Sequence, residues 1–175
     1  MRFPHHLMNP ETRLFAYGTL KRGSPMHDQL CRGVHSVLPA RLWGRLYELP
    51  TGCPALQVPK AAMLAESTLA PEQDQQQLGT LLNTPAPAFS LENWRPVQGQ
   101  LITLADFNTA WPTLDAWEDA CPGHALLFRR MLVRVERENG IPITAWTYVV
   151  PQLPEGSREL VTGVWPIPVP LAVGE

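Results

Sequence analysis

Charge is scarce in this 175-residue chain: Asp, Glu, Lys and Arg make up 17% of it, against roughly 25% in an ordinary soluble domain. The 14 basic and 16 acidic side chains almost cancel, leaving a net charge of -2. The broad basic face that nucleic-acid binding requires is therefore missing, and no nucleic-acid partner is expected. No apolar run approaches the roughly 20 residues of a membrane-spanning helix, and the first residues lack the basic, apolar and small-residue order of a secretory signal. These absences lead us to expect a cytoplasmic chain with no membrane partner. Cysteine is sparse too. Cys31, Cys53 and Cys121 are odd in number, far apart and without a CxxC pair, which favours reduced, structural thiols over a disulfide framework. There is no GxSxG, GxGxxG, P-loop or HExxH, and His27, His35 and His124 are scattered. Covalent catalysis, phosphoryl transfer and metal hydrolysis thus lack sequence support. No metal or cofactor is expected, and an enzyme built on this chain works with one or two lone groups.

Proline, by contrast, is abundant. The chain has 19 prolines, about twice the usual frequency of roughly 5%, so many turns and few long helices are expected. The length suits one domain, which can bury roughly 70% of its unfolded surface without a metal or disulfide to hold it. Residues 1–12, with the paired His5 and His6 and no periodicity, read as a flexible leader. Residues 13–150 read as one domain interrupted by an insertion at 60–96, and the proline-rich stretch 151–175 as an extended C-terminal piece lying over the surface.

Within the domain, Arg13 to Tyr17 is a short apolar run ended by Gly18, the pattern of a buried strand and tight turn. Ser24-Pro25 supplies a cap and first-turn proline for a short helix through about Cys31. Ala40 to Leu49 alternates about Gly44, a half-buried strand with a bulge or close backbone approach, and Ala55 to Val58 can pair with it. Val97 to Leu104, Leu126 to Arg137 and Thr144 to Val150 are further strands, the last two joined by an Asn139-Gly140 hairpin turn. In the second of these, Met131, Val133 and Val135 face one way and Arg130, Arg134 and Glu136 the other. The insertion offers a weak helical stretch at Ala61 to Leu69, then a polar run from Glu72 to Gln77. A loop of that length is either functional or disordered. Five or six strands with short helices between them predict an α+β domain on a curved or closed sheet.

Two features carry chemistry. The first is a helix from Thr113 to Ala120 with Pro112 in its first turn. At about 100° per residue, Leu114 and Trp117 define an apolar stripe, with Glu118 about 40° from it and Asp115 and Asp119 turned toward solvent. Glu118 is then the carboxylate most exposed to desolvation, which disfavours its charge and raises its pKa toward that of a working base. A plain alternative stays open: a rim carboxylate paired with Arg129 or Arg130. The second feature is Leu14 to Gly23, where the buried strand opens into a glycine-bracketed turn. Its successive N–H groups can form an anion-binding nest assisted by Lys21 or Arg22, or the glycines can be turn chemistry alone.

The order of short motifs points further. Tyr17-Gly18-Thr19-Leu20 follows the first strand. Gly44-Arg45-Leu46-Tyr47 comes next with Pro54-Ala55-Leu56, then Val97-Gln98-Gly99-Gln100-Leu101 and Leu114-Asp115-Ala116-Trp117-Glu118. Arg129-Arg130 with Val133 and Val135, and Ala145-Trp146-Thr147-Tyr148, complete the series. Together they resemble the γ-glutamylcyclotransferase superfamily, with its AIG2-like and γ-glutamylamine cyclotransferase branches, from Leu14 to Val150.

The resemblance implies a small mixed β-barrel flanked by short helices, a pocket formed by Tyr17, Gly18, Thr19 and Leu20, and Glu118 as the catalytic residue. Tyr148 stands where the family often has a strand tyrosine near the pocket. The implied partner is a small-molecule γ-glutamyl substrate, cyclised to 5-oxoproline with release of an amine. Phe128 stands where a tyrosine commonly precedes the Arg pair, Asp119 where a glycine commonly follows the glutamate, and the insertion exceeds the usual connection. These departures bear on substrate identity. From a different class, a non-catalytic binding module on the same fold is the alternative.

Overall fold

A computed structural model describes residues 11–68, 70–82, 88, 90–118 and 128–166. The first strand, Thr12–Ala16 (β1), buries both of its faces, with Leu14 and Ala16 on one side and Phe15 on the other. Helix α1 (Pro25–Leu30) follows, its Ser24 side chain capping the Met26 N–H. Strand β2 (Val34–Glu48) turns back through β3 (Pro54–Gln57), and a 3₁₀ turn (Lys60–Ala62) leads into β4 (Met63–Glu66). Then come α2 (Pro71–Leu81), β5 (Arg95–Leu104), α3 (Phe107–Trp117), β6 (Arg129–Arg137), β7 (Pro142–Val149) and the short β8 (Arg158–Glu159).

Five of these strands close on themselves. β2 pairs with β5, β5 with β1, β1 with β7, β7 with β6, and β6 returns to β2 through Ala40 opposite Arg137 and Arg41 opposite Glu136. Only β1 and β7 run parallel, meeting at Leu14 and Trp146. The α+β barrel with short helices expected from the sequence is therefore the architecture observed. β3 and β8 extend β2, and β4 extends β6.

Closure makes the period-two alternation of each strand serve two cores. Phe15, Leu42, Val97, Leu101, Met131, Val133, Val135 and Ala145 fill the barrel. Leu14, Ile102, Leu104, Leu132 and Trp146 face outward, where Phe107, Ala110, Trp111 and Leu114 of α3 and Leu78 of α2 cover them. Met131, Val133 and Val135 do share a face, as their spacing predicts; Arg130 lies on the other face but is buried there rather than solvated.

The long β2 passes from pairing with β5, up to Gly44, to pairing with β3 from Arg45 onward. Gly44 is the point of crossing, and a Cβ there would sit 2.6 Å from the Gln57 carbonyl oxygen. The close backbone approach read from the sequence is thus present.

Elsewhere the structure corrects the sequence reading. Thr12 belongs to β1 and is fully buried, not part of a leader. In the stretch expected to be helical at 61–69, residues up to Glu66 form a 3₁₀ turn and β4, because Met63, Ala65 and Glu66 pair with Val133, Leu132 and Met131 along the open edge of β6, and Leu69 lies outside the described residues. Pairing a sheet edge outweighs a weak local helical preference. The polar run 72–77 is inside α2, an element that local pattern does not mark; α2 buries Asp74 and Leu78 and exposes Glu72, Gln73 and Gln76. Beyond β7 the chain lies against the barrel through two turns, closed by the Ser157 N–H on the Pro154 carbonyl and the Gly163 N–H on the Leu160 carbonyl, rather than running extended throughout: Arg158 and Glu159 pair with Glu48 and Tyr47, and the Gly163 carbonyl accepts from the Gln98 N–H at 2.8 Å. His5, His6, Cys121, His124 and residues 167–175 lie outside the described residues. No described helix is long and apolar enough to cross a membrane.

Gly44→Ala is expected to lower stability by about 1–3 kcal/mol, since the added methyl must push the β3 backbone away. Urea denaturation checks this: the midpoint falls while the slope of the transition is retained.

Candidate active site

The site begins where β1 leaves the barrel. Tyr17 ends the apolar run, and Gly18 packs so closely on Pro54 of the β2–β3 hairpin that any Cβ would overlap the Pro54 Cγ. The turn then closes with the Lys21 N–H on the Gly18 carbonyl at 3.1 Å. It is braced from below: the Leu20 carbonyl accepts from His27 Nδ1 at 2.9 Å, and the Cys31 thiol lies 3.9 Å away. A carbonyl can only accept, so His27 carries its proton on Nδ1. Burial pushes the Cys31 thiol up to about 11 and keeps it protonated. The N–H groups of Gly18, Thr19 and Leu20 donate to no backbone carbonyl among the described residues.

The two cations of the turn are not where the nest reading put them. The Lys21 ammonium donates to the Trp165 carbonyl, and burial lowers its pKa. Arg22 is exposed, its backbone N–H held by Gln100 Oε1 at 2.7 Å. Neither lines the cavity described below. Any anion affinity of the turn rests on backbone N–H groups.

Helix α3 supplies the carboxylate. It starts earlier than its proline suggests: Asp106 is the cap, accepting from the Asn108 and Thr109 N–H groups, and Pro112 lies inside the helix. With that start the buried stripe is Phe107, Ala110, Trp111 and Leu114. Trp117, expected on the stripe, is 48% exposed. Counting from Trp111, positions i+4 and i+7 fall within about 40° of the same direction, so Asp115 and Glu118 both lie on the buried side. Asp115, expected in solvent, is only 14% exposed. Glu118 sits at the C-cap, with its N–H on the Leu114 carbonyl at 2.9 Å. Asp119 is outside the described residues.

Beneath Glu118 runs a charged network that the sequence reading missed. Arg130, 1% exposed, donates to Asp115 from Nε at 2.8 Å and from Nη2 at 3.0 Å, and from Nη2 to Asp74 of α2 at 2.8 Å. Its guanidinium also stacks over Trp111 and Trp146, at 4.2 and 4.9 Å from the ring centroids. Asp74 Oδ1 accepts from the Thr68 N–H and hydroxyl. The Tyr148 phenol donates to Asp115 Oδ1 at 2.7 Å, and the Tyr17 phenol donates to the Tyr148 carbonyl at 2.8 Å. Burial works to lower the Arg130 pKa, but the Asp115 hydrogen bonds and the surrounding negative groups raise it overall. The signal was present in the sequence as spacing: Asp115 follows Trp111 by four, which places it on the buried face once the Asp106 cap is recognised.

A cavity of about 240 Å³ collects the expected residues. Tyr17, Gly18, Thr19, Leu20, Tyr148 and Glu118 all line it, with Phe15, Pro54, Trp117 and Phe128 among the remaining walls. It lies just below the roughly 300 Å³ at which drug-sized ligands begin to fit, so a small ligand suits it. Glu118 is the one charged residue among the described lining. It makes no ion pair among the described residues, since Arg129 pairs with Glu66 and Arg130 with Asp74 and Asp115. The plain alternative of an arginine-paired rim carboxylate is therefore not what forms. Burial raises the Glu118 pKa to about 7. Burial, then the Glu118 charge, pushes the Tyr17 phenol well above its ordinary value; burial and Asp115 do the same for Tyr148. No cluster of metal-ligating side chains occurs among the described residues.

The family of γ-glutamyl cyclotransferase, AIG2-like proteins matches the chain over residues 14–63 and 60–166. No curated protein matches it. Among solved structures, YkqA from Bacillus subtilis aligns with a TM-score of 0.51 at 17% identity, over 89% of this chain and 39% of YkqA. This chain thus spans about two fifths of that protein's length. An AIG2-like protein from Mus musculus aligns with a TM-score of 0.46 at 20% identity, over 83% of this chain and 80% of the mouse protein. The uropathogenic E. coli-specific protein c4763 gives 0.45 at 15%, over 89% and 92%. At 17% identity the YkqA likeness is one of fold.

The Glu118 environment has a consequence for stability. Its folded pKa of about 7 exceeds the ordinary glutamate value of 4.5, so between those values the folded state holds a proton that the unfolded state has lost. Stability therefore falls as pH rises through that window. Glu118→Gln removes the penalty and is expected to gain about 1–3 kcal/mol at pH 8 while differing little from the parent at pH 5. Thermal melts at the two pH values check this; equal melting temperatures at pH 8 would place the carboxylate in a water-like environment.

Proposed function

Because the chain belongs to the AIG2-like γ-glutamyl cyclotransferase family, we propose that it cyclises a γ-glutamyl amine or peptide to 5-oxoproline and a free amine, with Glu118 as general base and acid. The observation that carries this reading is Glu118 itself. It is a part-buried carboxylate with a pKa of about 7, free of ion pairs among the described residues, and it shares a small cavity with the Gly18–Leu20 turn.

The substrate brings its own nucleophile. Its α-nitrogen forms a bond to the γ-carbonyl carbon while the bond from that carbon to the amide nitrogen breaks. Overall the α-nitrogen loses two protons and the departing nitrogen gains two, leaving as an ammonium. A carboxylate near pKa 7 is matched to both halves of that transfer: ionised, it takes a proton from the α-ammonium; protonated, it gives one to the leaving nitrogen. No enzyme nucleophile is needed, consistent with a sequence that offers no nucleophile-and-base signature.

The remaining task is conformational. Ring closure gains much of its rate from holding the chain folded so that nitrogen and carbonyl meet. The rigid turn, pinned by Pro54 above and His27 below, offers the Gly18, Thr19 and Leu20 N–H groups to the substrate α-carboxylate or to the developing oxyanion. In this reading Tyr17 and Tyr148 are substrate-binding residues beside them. The alternative of a binding module without chemistry would be favoured by a blocked cavity or by a Glu118 locked in an ion pair. Neither is seen among the described residues, where α2 and β4 of the insertion are absent from the cavity lining and Glu118 makes no ion pair.

Glu118→Gln is expected to reduce 5-oxoproline release from γ-glutamyl amides by about a hundredfold or more, without loss of the folded state. In the parent protein kcat/KM is expected to rise with pH through about 7, as Glu118 becomes ionised. Assaying free 5-oxoproline across a panel of γ-glutamyl amines and amino acids, from pH 5 to 9, checks both; undiminished turnover by the variant would remove Glu118 from the chemistry.

A further inference from the structure

Tyr148 is a wall of the cavity, and its one phenolic hydrogen is already spent on Asp115 Oδ1, 2.7 Å away. A phenol that has donated its hydrogen keeps only acceptor capacity. Asp115 is in turn unable to release it, because Arg130 grips both of its oxygens, at 2.8 and 3.0 Å, and is itself anchored by Asp74 and by the faces of Trp111 and Trp146. The neighbouring phenol is in the same condition: Tyr17 gives its hydrogen to the Tyr148 carbonyl. Both phenols feel the charge of Glu118. The lining between the α3 C-terminus and the start of the turn therefore includes a carboxylate and two tyrosines whose phenolic hydrogens are committed elsewhere, and no cation among the described residues. Such a set complements a cation with several N–H groups.

We propose that Asp115 is a positioning residue: by fixing the phenolic hydrogen of Tyr148 away from the cavity, it makes that oxygen an obligate acceptor for the α-ammonium of the substrate, beside Glu118. This rests on the γ-glutamyl reading for the identity of the ligand. It assigns the ammonium to the Glu118, Tyr148 and Tyr17 end of the cavity and leaves the N–H groups of Gly18, Thr19 and Leu20 for negative charge. The Asp115–Arg130–Asp74 chain thereby ties the insertion helix α2 to recognition of the free α-amine, although α2 does not line the cavity.

The test uses two inert probes that differ only in the amine, 2-amino-5-phenoxypentanoate and 5-phenoxypentanoate, with binding measured by calorimetry to the full chain and to Tyr148→Phe and Asp115→Asn. The parent is expected to prefer the amine-bearing probe. Tyr148→Phe, which leaves the Arg130 network whole, is expected to shrink that preference roughly tenfold or more, the worth of a hydrogen bond to a charged group. Asp115→Asn is expected to shrink it as well, by releasing the phenol. A purely structural role would weaken both probes equally, and that result, or a parent protein indifferent to the amine, overturns the proposal. A folded Asp115→Asn that keeps the full preference overturns the role of Asp115; if that variant does not fold, Tyr148→Phe decides by the same ratio. Failure of the cyclisation reading is distinguishable, since it would appear as no 5-oxoproline from any γ-glutamyl amide with the amine preference intact.

Discussion

Arg130 occupies a position where a charge is expensive. Removing an ion from water costs several kcal/mol even after relaxation, and only close partners and good geometry offset it. This guanidinium is 1% exposed and meets that cost with two carboxylates and two indole faces. The partners come from three different parts of the chain: Asp74 from the insertion, Asp115 and Trp111 from α3, and Trp146 from β7. One buried charge therefore fixes how α2 and α3 sit against the outer wall of the barrel. It also fixes the last turn of α3, and with it the direction in which Glu118 projects. Loss of either carboxylate would leave Arg130 partly unpaired in a dry setting, a defect of about 3–5 kcal/mol in comparable buried pairs.

The barrel converts that fixed helix into a site. A small closed sheet has an interior filled by its own side chains, and here Phe15, Leu101, Val133 and their neighbours pack it. A cavity can form only at an end, where a strand departs and a helix stops short. β1 departs there through Gly18, a residue chosen for size: the turn touches Pro54 more closely than any side chain allows. α3 stops at Glu118 on the opposite wall. The constraints that make the cavity are thus steric on one side and electrostatic on the other.

What was legible in the sequence follows this division. Strand alternation, the Ser24 cap, the Asn139-Gly140 hairpin and the bulge or close approach at Gly44 are local patterns, and each carries its own physics over a few residues. The residues gathered at the cavity were legible through motif order, with Glu118 singled out by its place beside an apolar stripe. The stripe is not legible from Pro112, which resembles a helix start, because the Asp106 cap lies a turn and a half earlier; counted from Pro112, Asp115 faces solvent. β4 was illegible for a different reason. Met63 to Glu66 is a strand only because the edge of β6, more than sixty residues away, needs a partner. Arg130 was read by alternation as an outward cation, and the outward face of this barrel is not solvent but the underside of two helices.

Glu118 also shows why the site is built at the margin of the core rather than within it. A carboxylate left in water has a pKa near 4.5, ionised at neutral pH but too weak an acid to protonate a leaving amine. One buried without limit would stay protonated and be no base at all. Partial burial at the C-cap of α3, in a cavity with no cation among its described walls, gives a value of about 7. The two arginines that the sequence offers as partners for Glu118 are committed elsewhere, Arg129 to Glu66 and Arg130 to Asp74 and Asp115. The network under the site thus does two things at once: it holds the helix that carries Glu118, and it withholds from Glu118 the positive charge that would pull its pKa back down.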